Sequence, residues 1–238
     1  MKVDKFRTVI IYIIIILLGL VCLLPLLNIV AISFSSSAAV EGNMVGLIPV
    51  GFSTAAYEKI LEDSQFWHSF LISVERVVLT LIINFVLIVL MAYPLSKTNA
   101  QFRGRNIYAN LMIFAMLFNG GMIPTFLLVK SYGLLNTVWA LVLPGAVPIF
   151  NVILVMNFFA AVPKELEEAA FIDGANPFQV LTKIFIPISK PVLATVSRFS
   201  IVGSWNDFYS GLIYMSKAAY YPLMTYIQSL QINVEDLI

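Results

Sequence analysis

The chain has 238 residues, of which 60% are hydrophobic and 11% charged, with a mean hydropathy of +0.93. Soluble domains carry about 45–50% apolar and about 25% charged residues, so a soluble fold of this length could not hide so much apolar surface, and the composition selects a polytopic membrane protein. A net charge of +1 without a basic stripe argues against nucleic acid, and one cysteine, one histidine and no nucleophile motif argue against a disulfide, a metal site or an active site on this chain.

Residues 1–8 hold Lys2, Lys5 and Arg7 against Asp4, and no charge follows until Glu41. Val9 to Phe34 is long enough to cross a bilayer, which takes roughly 20 apolar residues. It is too long for a cleaved signal peptide and no A-x-A site closes it, so it reads as an anchor that Pro25 kinks. Glu41 to Glu75 is a mixed, mainly acidic segment. Within it Ser53 to Leu61 predicts a short amphipathic helix, and Phe66, Trp67 and Phe70 read as interfacial aromatics. A second span is predicted over Val77–Leu95, followed by Lys97, Arg103 and Arg105. A third lies between Asn106 and Val129, broken by Asn119-Gly120-Gly121 and Pro124. A fourth covers Val138–Ala161 with Pro144 and Pro148 inside it, and a fifth runs from Pro191 to Tyr214, interrupted by Arg198, Asn206 and Asp207.

Lys and Arg gather in cytoplasmic loops. The N-terminus, the Lys97–Arg105 loop and the segment carrying Lys164, Lys183 and Lys190 are therefore expected inside the cell, and residues 216–238 outside. Three fates are open to Arg198: snorkelling to the interface, pairing within the bundle, or lining a path. Asn119, Trp205, Asn206, Asp207 and Tyr209 are the polar or amphipathic groups at membrane depth. They suit either a path for sugars, which stack on aromatic faces and bond to amides and carboxylates, or interhelical bonding and interface belts.

The segment 162–190 is a polar island between apolar runs. Pro163 suits the start of a helix, with Glu165, Glu167 and Glu168 near its positive end. Gly174 suits its left-handed end, and Asn176-Pro177 restarts a second helix over Phe178–Ile184 that Pro187 limits. Its two alanines keep one face thin, and Phe171, Ile172 and Phe178 could enter a groove on a soluble partner. Packing against its own protein is the other reading that the residues leave open.

Glu168-Ala169-Ala170, three residues, Gly174, nine residues, Ile184, one residue, then Ile186 and Pro187 resembles the EAA loop of ATP-binding-cassette importer permeases. The family usually has Leu at the position of Ile186. The stretches IPTFLLVKSYGLLNT, ALVLPGAV and PKELEEAAFIDGAN, with Gly203-Ser204-Trp205-Asn206, are similar to carbohydrate-uptake permeases of the maltose type, and most to the lipoprotein and aldouronate branch.

That resemblance implies an all-α polytopic membrane protein with the type I importer permease fold. Residues 9–215 would form the transmembrane domain. Five spans would be present, and the family's sixth, expected after the external segment 216–238, would be missing. It implies a multi-pass subunit of the bacterial cytoplasmic membrane that pairs with a second permease to form half of a carbohydrate path.

Glu168, Ala169, Ala170, Asp173, Gly174, Ile184 and Pro187 would couple it to two ATPase subunits. Those subunits would hold ATP and Mg, with no cofactor on this chain, and an extracellular binding protein would deliver the sugar. Alternating access would follow from rigid-body motion. Import of a non-sugar solute, a membrane scaffold and an intramembrane enzyme are the competing classes. The last is poorly served by a lone His68 in an external loop.

Overall fold

A computed structural model describes residues 5–118 and 120–235, and these are helical or irregular with no strand. By backbone contacts the chain divides after Trp67.

The first unit contains α1 (Lys5–Ser33), α2 (Ser37–Glu41) and α3 (Ala55–Glu62). Thr8–Ser33 forms one continuous apolar helix, and none of its most apolar stretch is buried against protein. A helix apolar on all sides with no protein cover suits lipid. Pro25 sits inside this helix. The helix predicted over Ser53–Leu61 is α3. Here the Thr54 hydroxyl donates to Glu58 at 2.8 Å, and the Phe34 ring stacks between Phe52 and Tyr57 at 5.7 and 4.9 Å.

α4 (Ser64–Leu95) starts well before the predicted Val77, and all of it after Trp67 belongs to the second unit. The polar residues Ser69, Ser73, Arg76, Thr80 and Asn84 are buried on one face of it, so the helix extends because protein, not lipid, covers its polar stripe. The third predicted span divides into α5 (Arg105–Leu117) and α6 (Met122–Ser131) at the glycine pair. Asn119 lies outside the described residues. The fourth becomes α7 (Val138–Val142), a 3-10 turn over Leu143–Gly145 and α8 (Ile149–Ala160), bent by 47° where Pro144 and Pro148 remove backbone donors.

Three short helices follow, α9 (Lys164–Ile172), α10 (Pro177–Val180) and α11 (Ile186–Ile188), with a π-helical turn over Leu181–Phe185. Pro187 does not limit the second helix as expected. The π turn shifts the hydrogen-bond register just ahead of it, so the helical path continues to Ile188 and bends by 84° into α12 (Lys190–Asn206). Asp207 then ends α12, and α13 (Tyr209–Tyr214) and α14 (Leu223–Glu235) complete the order.

Two helices are long and apolar enough to cross a membrane, and up to five spans exist if each bent pair counts as one. The main core joins α4, α8, the 180–185 turn and α12 through Ile88, Val155, Phe159, Phe185 and Val196. The start of α14 is tied down by polar bonds. The Leu223 amide donates to Ser73 at 2.8 Å, and Thr225 donates to the Phe208 carbonyl at 2.8 Å. Gly211 leaves the room this needs, since a Cβ there would meet Thr225 Oγ1 at 2.0 Å.

Candidate functional site

The polar island folds as a helix, a tight elbow and a second helix. Pro163 is the N-cap of α9, and Glu165 and Glu167 fall in the first turn, where the helix dipole favours acids. At the other end Gly174 has φ +80°. Its amide donates to Phe171 O at 3.1 Å and that of Ala175 to Ala170 O at 2.9 Å. These are the two bonds of a Schellman closure, which needs the left-handed conformation that glycine adopts freely. Asn176 and Gln179 then exchange side-chain and backbone bonds at 2.9 Å each, a capping box that starts α10.

The elbow gathers part of the motif. Ala170, Asp173, Gly174 and Ile184 share one groove of about 490 Å³. Glu168 and Ala169 stand on the exposed side of α9, and Pro187 is exposed beyond the π turn. Ile172 is 86% exposed, and Phe171 and Phe178 are also open to the surroundings. The elbow thus leaves three large apolar side chains uncovered within a short stretch.

The acid that holds the elbow to the bundle is Glu167, not one of the motif residues. Its Oε2 accepts from Lys97 Nζ at 2.7 Å, with both side chains 11% exposed, and Tyr93 OH reaches Oε1 at 3.5 Å. The Lys97 ammonium also lies 4.0 Å from the Tyr93 ring centre and 4.2 Å from that of Phe185. Burial pushes the Lys97 ammonium below the ordinary lysine range, while the hydrogen bond and charge of Glu167 work against that shift. Phe185 packs edge-on against Tyr93 at 5.1 Å and Phe159 at 5.4 Å. One knot thus joins α9 to the end of α4, to α8 and to the π turn before α12. Sequence reading missed it because Lys97 and Glu167 are far apart in the chain. The hint available was a lysine directly after an apolar span.

The path residues disperse. Asp207 lines a polar cavity of about 290 Å³. Trp205 is half-buried, its ring edge-on to Phe70 at 5.9 Å. Asn206 is exposed, and Tyr209 donates to Met122 Sδ at 3.0 Å. Asp207 is an ion-pair partner as well as a lining group. Arg76, 3% exposed, binds its carboxylate and donates to its backbone oxygen at 2.8 Å, while Ser210 Oγ donates to the carboxylate at 2.5 Å. Arg76 lies one residue before the predicted start of the second span, so the sequence reading left it out of the membrane. Arg198 is exposed on α12. Among the described residues no group of three or more His, Cys, Asp or Glu side chains could hold a metal ion.

Residues 84–236 match the family model described as "Binding-protein-dependent transport system inner membrane component". The chain is 42% identical over 214 residues to Protein LplC of Bacillus subtilis (strain 168), covering 90% of this chain and 72% of that protein. It is 39% identical over 229 residues to the polygalacturonan/rhamnogalacturonan transport system permease protein YtcP of the same strain, covering 96% of this chain and 79% of YtcP. Its fold is similar, with a TM-score of 0.88 and 33% identity, to a chain in the crystal structure of a bacterial ABC transporter involved in the import of the acidic polysaccharide alginate. That match covers 98% of this chain and 82% of the other.

Proposed function

Because the chain belongs to the binding-protein-dependent transport system inner membrane component family, we propose that it is a permease subunit of a carbohydrate importer, coupled to separate ATPases through the elbow at 164–188. The observation that carries the coupling role is the glycine-closed elbow, which leaves Phe171, Ile172 and Phe178 exposed and is tied to the bundle by Glu167. Such an element can accept a push from a soluble partner and pass it to the helices behind it.

The permease role and membrane location follow from the family. The finer parts are our reading. A second permease completes the path, two ATPases hold ATP and Mg, and an external binding protein delivers the sugar. The glycan class is supported by the names of the relatives, which are polygalacturonan, rhamnogalacturonan and alginate transport proteins. The Lys97–Glu167 contact supports the orientation. It requires the end of α4 and the elbow to share one side of the membrane, and the lysines of both favour the cytoplasm. Lys2, Lys5 and Arg7 carry the same reading for the N-terminus.

The test is purification of the tagged chain from its native membrane, with mass spectrometry of what accompanies it, beside a strain lacking the chain. The expected result is recovery of a second permease and an ATP-binding subunit, and loss of uptake of at least one oligosaccharide in the deletion strain. Recovery of the chain alone, with oligosaccharide uptake unchanged in the deletion strain, would overturn the assignment.

A further inference from the structure

A groove of about 400 Å³ lies between the end of α4, the loop that follows it, α5 and the start of α8. Its walls are apolar: Met91 and Leu95 from α4, Phe102 from the loop, Leu111 and Ala115 from α5, and Ile149 from α8. Leu95 is buried in the main core, whereas Leu111 is 57% exposed. The groove therefore opens to the surroundings of the bundle and not into its interior. For an apolar surface of a membrane protein those surroundings are lipid or another membrane chain.

One end of the groove is basic. Residues 96–110 carry Lys97, Arg103 and Arg105 and no acid. Lys97 is engaged by Glu167, and among the described residues neither arginine forms an ion pair. Arg105 is fixed at the groove. Its Nε donates to the carbonyl of Leu95, a wall residue, at 2.9 Å, and its Nη1 donates to Asn106 Oδ1 at 3.1 Å. Both acceptors are neutral, so the geometry of the guanidinium is set while its charge stays uncompensated. Arg103 is exposed and directly follows the wall residue Phe102.

The length of the apolar part is also defined. From Arg105 to Ala115, α5 rises about 15 Å, half of a hydrocarbon core of about 30 Å. The groove thus has an apolar run one leaflet deep and a cationic end. A water-soluble anion would gain nothing from the walls, and a neutral hydrocarbon nothing from the arginines. A helix from another chain, about 10 Å across, would take up more than about 1,000 Å³ over that length, well above the volume present. An amphiphile with an anionic head and a flexible chain matches both parts. Anionic lipids give the cytoplasmic leaflet its negative surface, which attracts basic residues at the membrane boundary.

We propose that this groove binds an anionic phospholipid of the cytoplasmic leaflet. One acyl chain lies against α4 and α5, and the phosphate meets Arg103 and Arg105. The inference rests on the orientation argued above and on no statement about the sugar or the ATPases.

The test uses the complex purified through the tagged chain and placed in phosphatidylcholine nanodiscs. A trace of phosphatidylglycerol with a diazirine in one acyl chain is added, and after illumination the adducts are mapped by mass spectrometry. Unlabelled phosphatidylglycerol or phosphatidylethanolamine is the competitor. The expected result is that adducts concentrate on residues 90–115, and that phosphatidylglycerol suppresses them at a mole fraction roughly tenfold lower than phosphatidylethanolamine does.

Arg103→Gln with Arg105→Gln should abolish that preference. Ala115→Trp, which fills the groove and leaves the charges in place, should abolish the adducts themselves. The competition on the wild-type chain decides the question even where a variant fails to assemble. Equal suppression by the two lipids would overturn the anionic class. Adducts spread evenly over α1, α4 and α5, or absent from 90–115 in a complex that contains a second permease, would overturn the site. ATP hydrolysis by the same preparation is read separately, so either failure leaves the importer reading standing.

Discussion

Gly174→Val is expected to cut ATP-driven uptake at least roughly tenfold while the chain still inserts and folds. The reason is local. Gly174 has φ +80°, and its amide and that of Ala175 close the Schellman turn. A branched residue in that region costs about 1–2 kcal/mol, enough to lower the docked elbow's population by around an order of magnitude. A Cβ at Gly174 meets nothing within 4 Å, so a collision does not confuse the result. Gly174→Asn should be milder, because asparagine visits the left-handed region more readily. Uptake and detergent-extracted yield, measured on the same membranes, separate the two effects. Wild-type uptake by Gly174→Val would show that the elbow conformation does not matter.

Glu167→Gln is expected to be the more damaging change in the same helix, and Glu168→Gln the milder one. Glu167 is buried against Lys97 and Glu168 is exposed. Removing one partner of a largely buried pair leaves the other charge uncompensated, at a cost of about 3 kcal/mol. Burial lowers the Lys97 pKa and the Glu167 contact opposes that shift, so without Glu167 the desolvation of the ammonium goes unopposed. Exchanging both residues for apolar ones, Lys97→Met with Glu167→Leu, should recover most of the stability, because the two charges leave together. Thermal unfolding in detergent measures the stability, and uptake measures the coupling. If the double variant is as unstable as Glu167→Gln alone, the knot is held by shape and not by charge.

Much of this architecture is legible in the chain because lipid and water impose simple rules. Long apolar runs, prolines and the glycine pair marked the apolar helices and the breaks between α5 and α6 and between α7 and α8, while the start of α4 and the end of α12 differ from the predicted bounds. The elbow was legible for a different reason, since Asn176-Pro177 and Gly174 are local signals that act on adjacent backbone. What escaped were pairings across the fold. The Lys97–Glu167 knot and the Arg76–Asp207 pair each join residues from different helices, and neither partner carries a local signal of the other. α4 begins before the predicted Val77 because the polar residues Ser69, Ser73 and Arg76 look like loop residues until protein covers them. Trp205, Asn206 and Tyr209 group with Asp207 in the sequence as polar or amphipathic residues at membrane depth. Helical geometry and the break at Asp207 send them to different surroundings.

The central claim is that the elbow touches an ATP-hydrolysing subunit. Ile172, 86% exposed at the tip of α9, gives the most direct measure of it. With Cys22 replaced by serine, Ile172→Cys would carry a short photoactivated cross-linker in native membranes, and the adduct would be identified by mass spectrometry. The account predicts one dominant adduct to a soluble ATP-binding protein, lost in Gly174→Val. Cross-links only to other membrane chains, from a chain that still supports uptake, would contradict it.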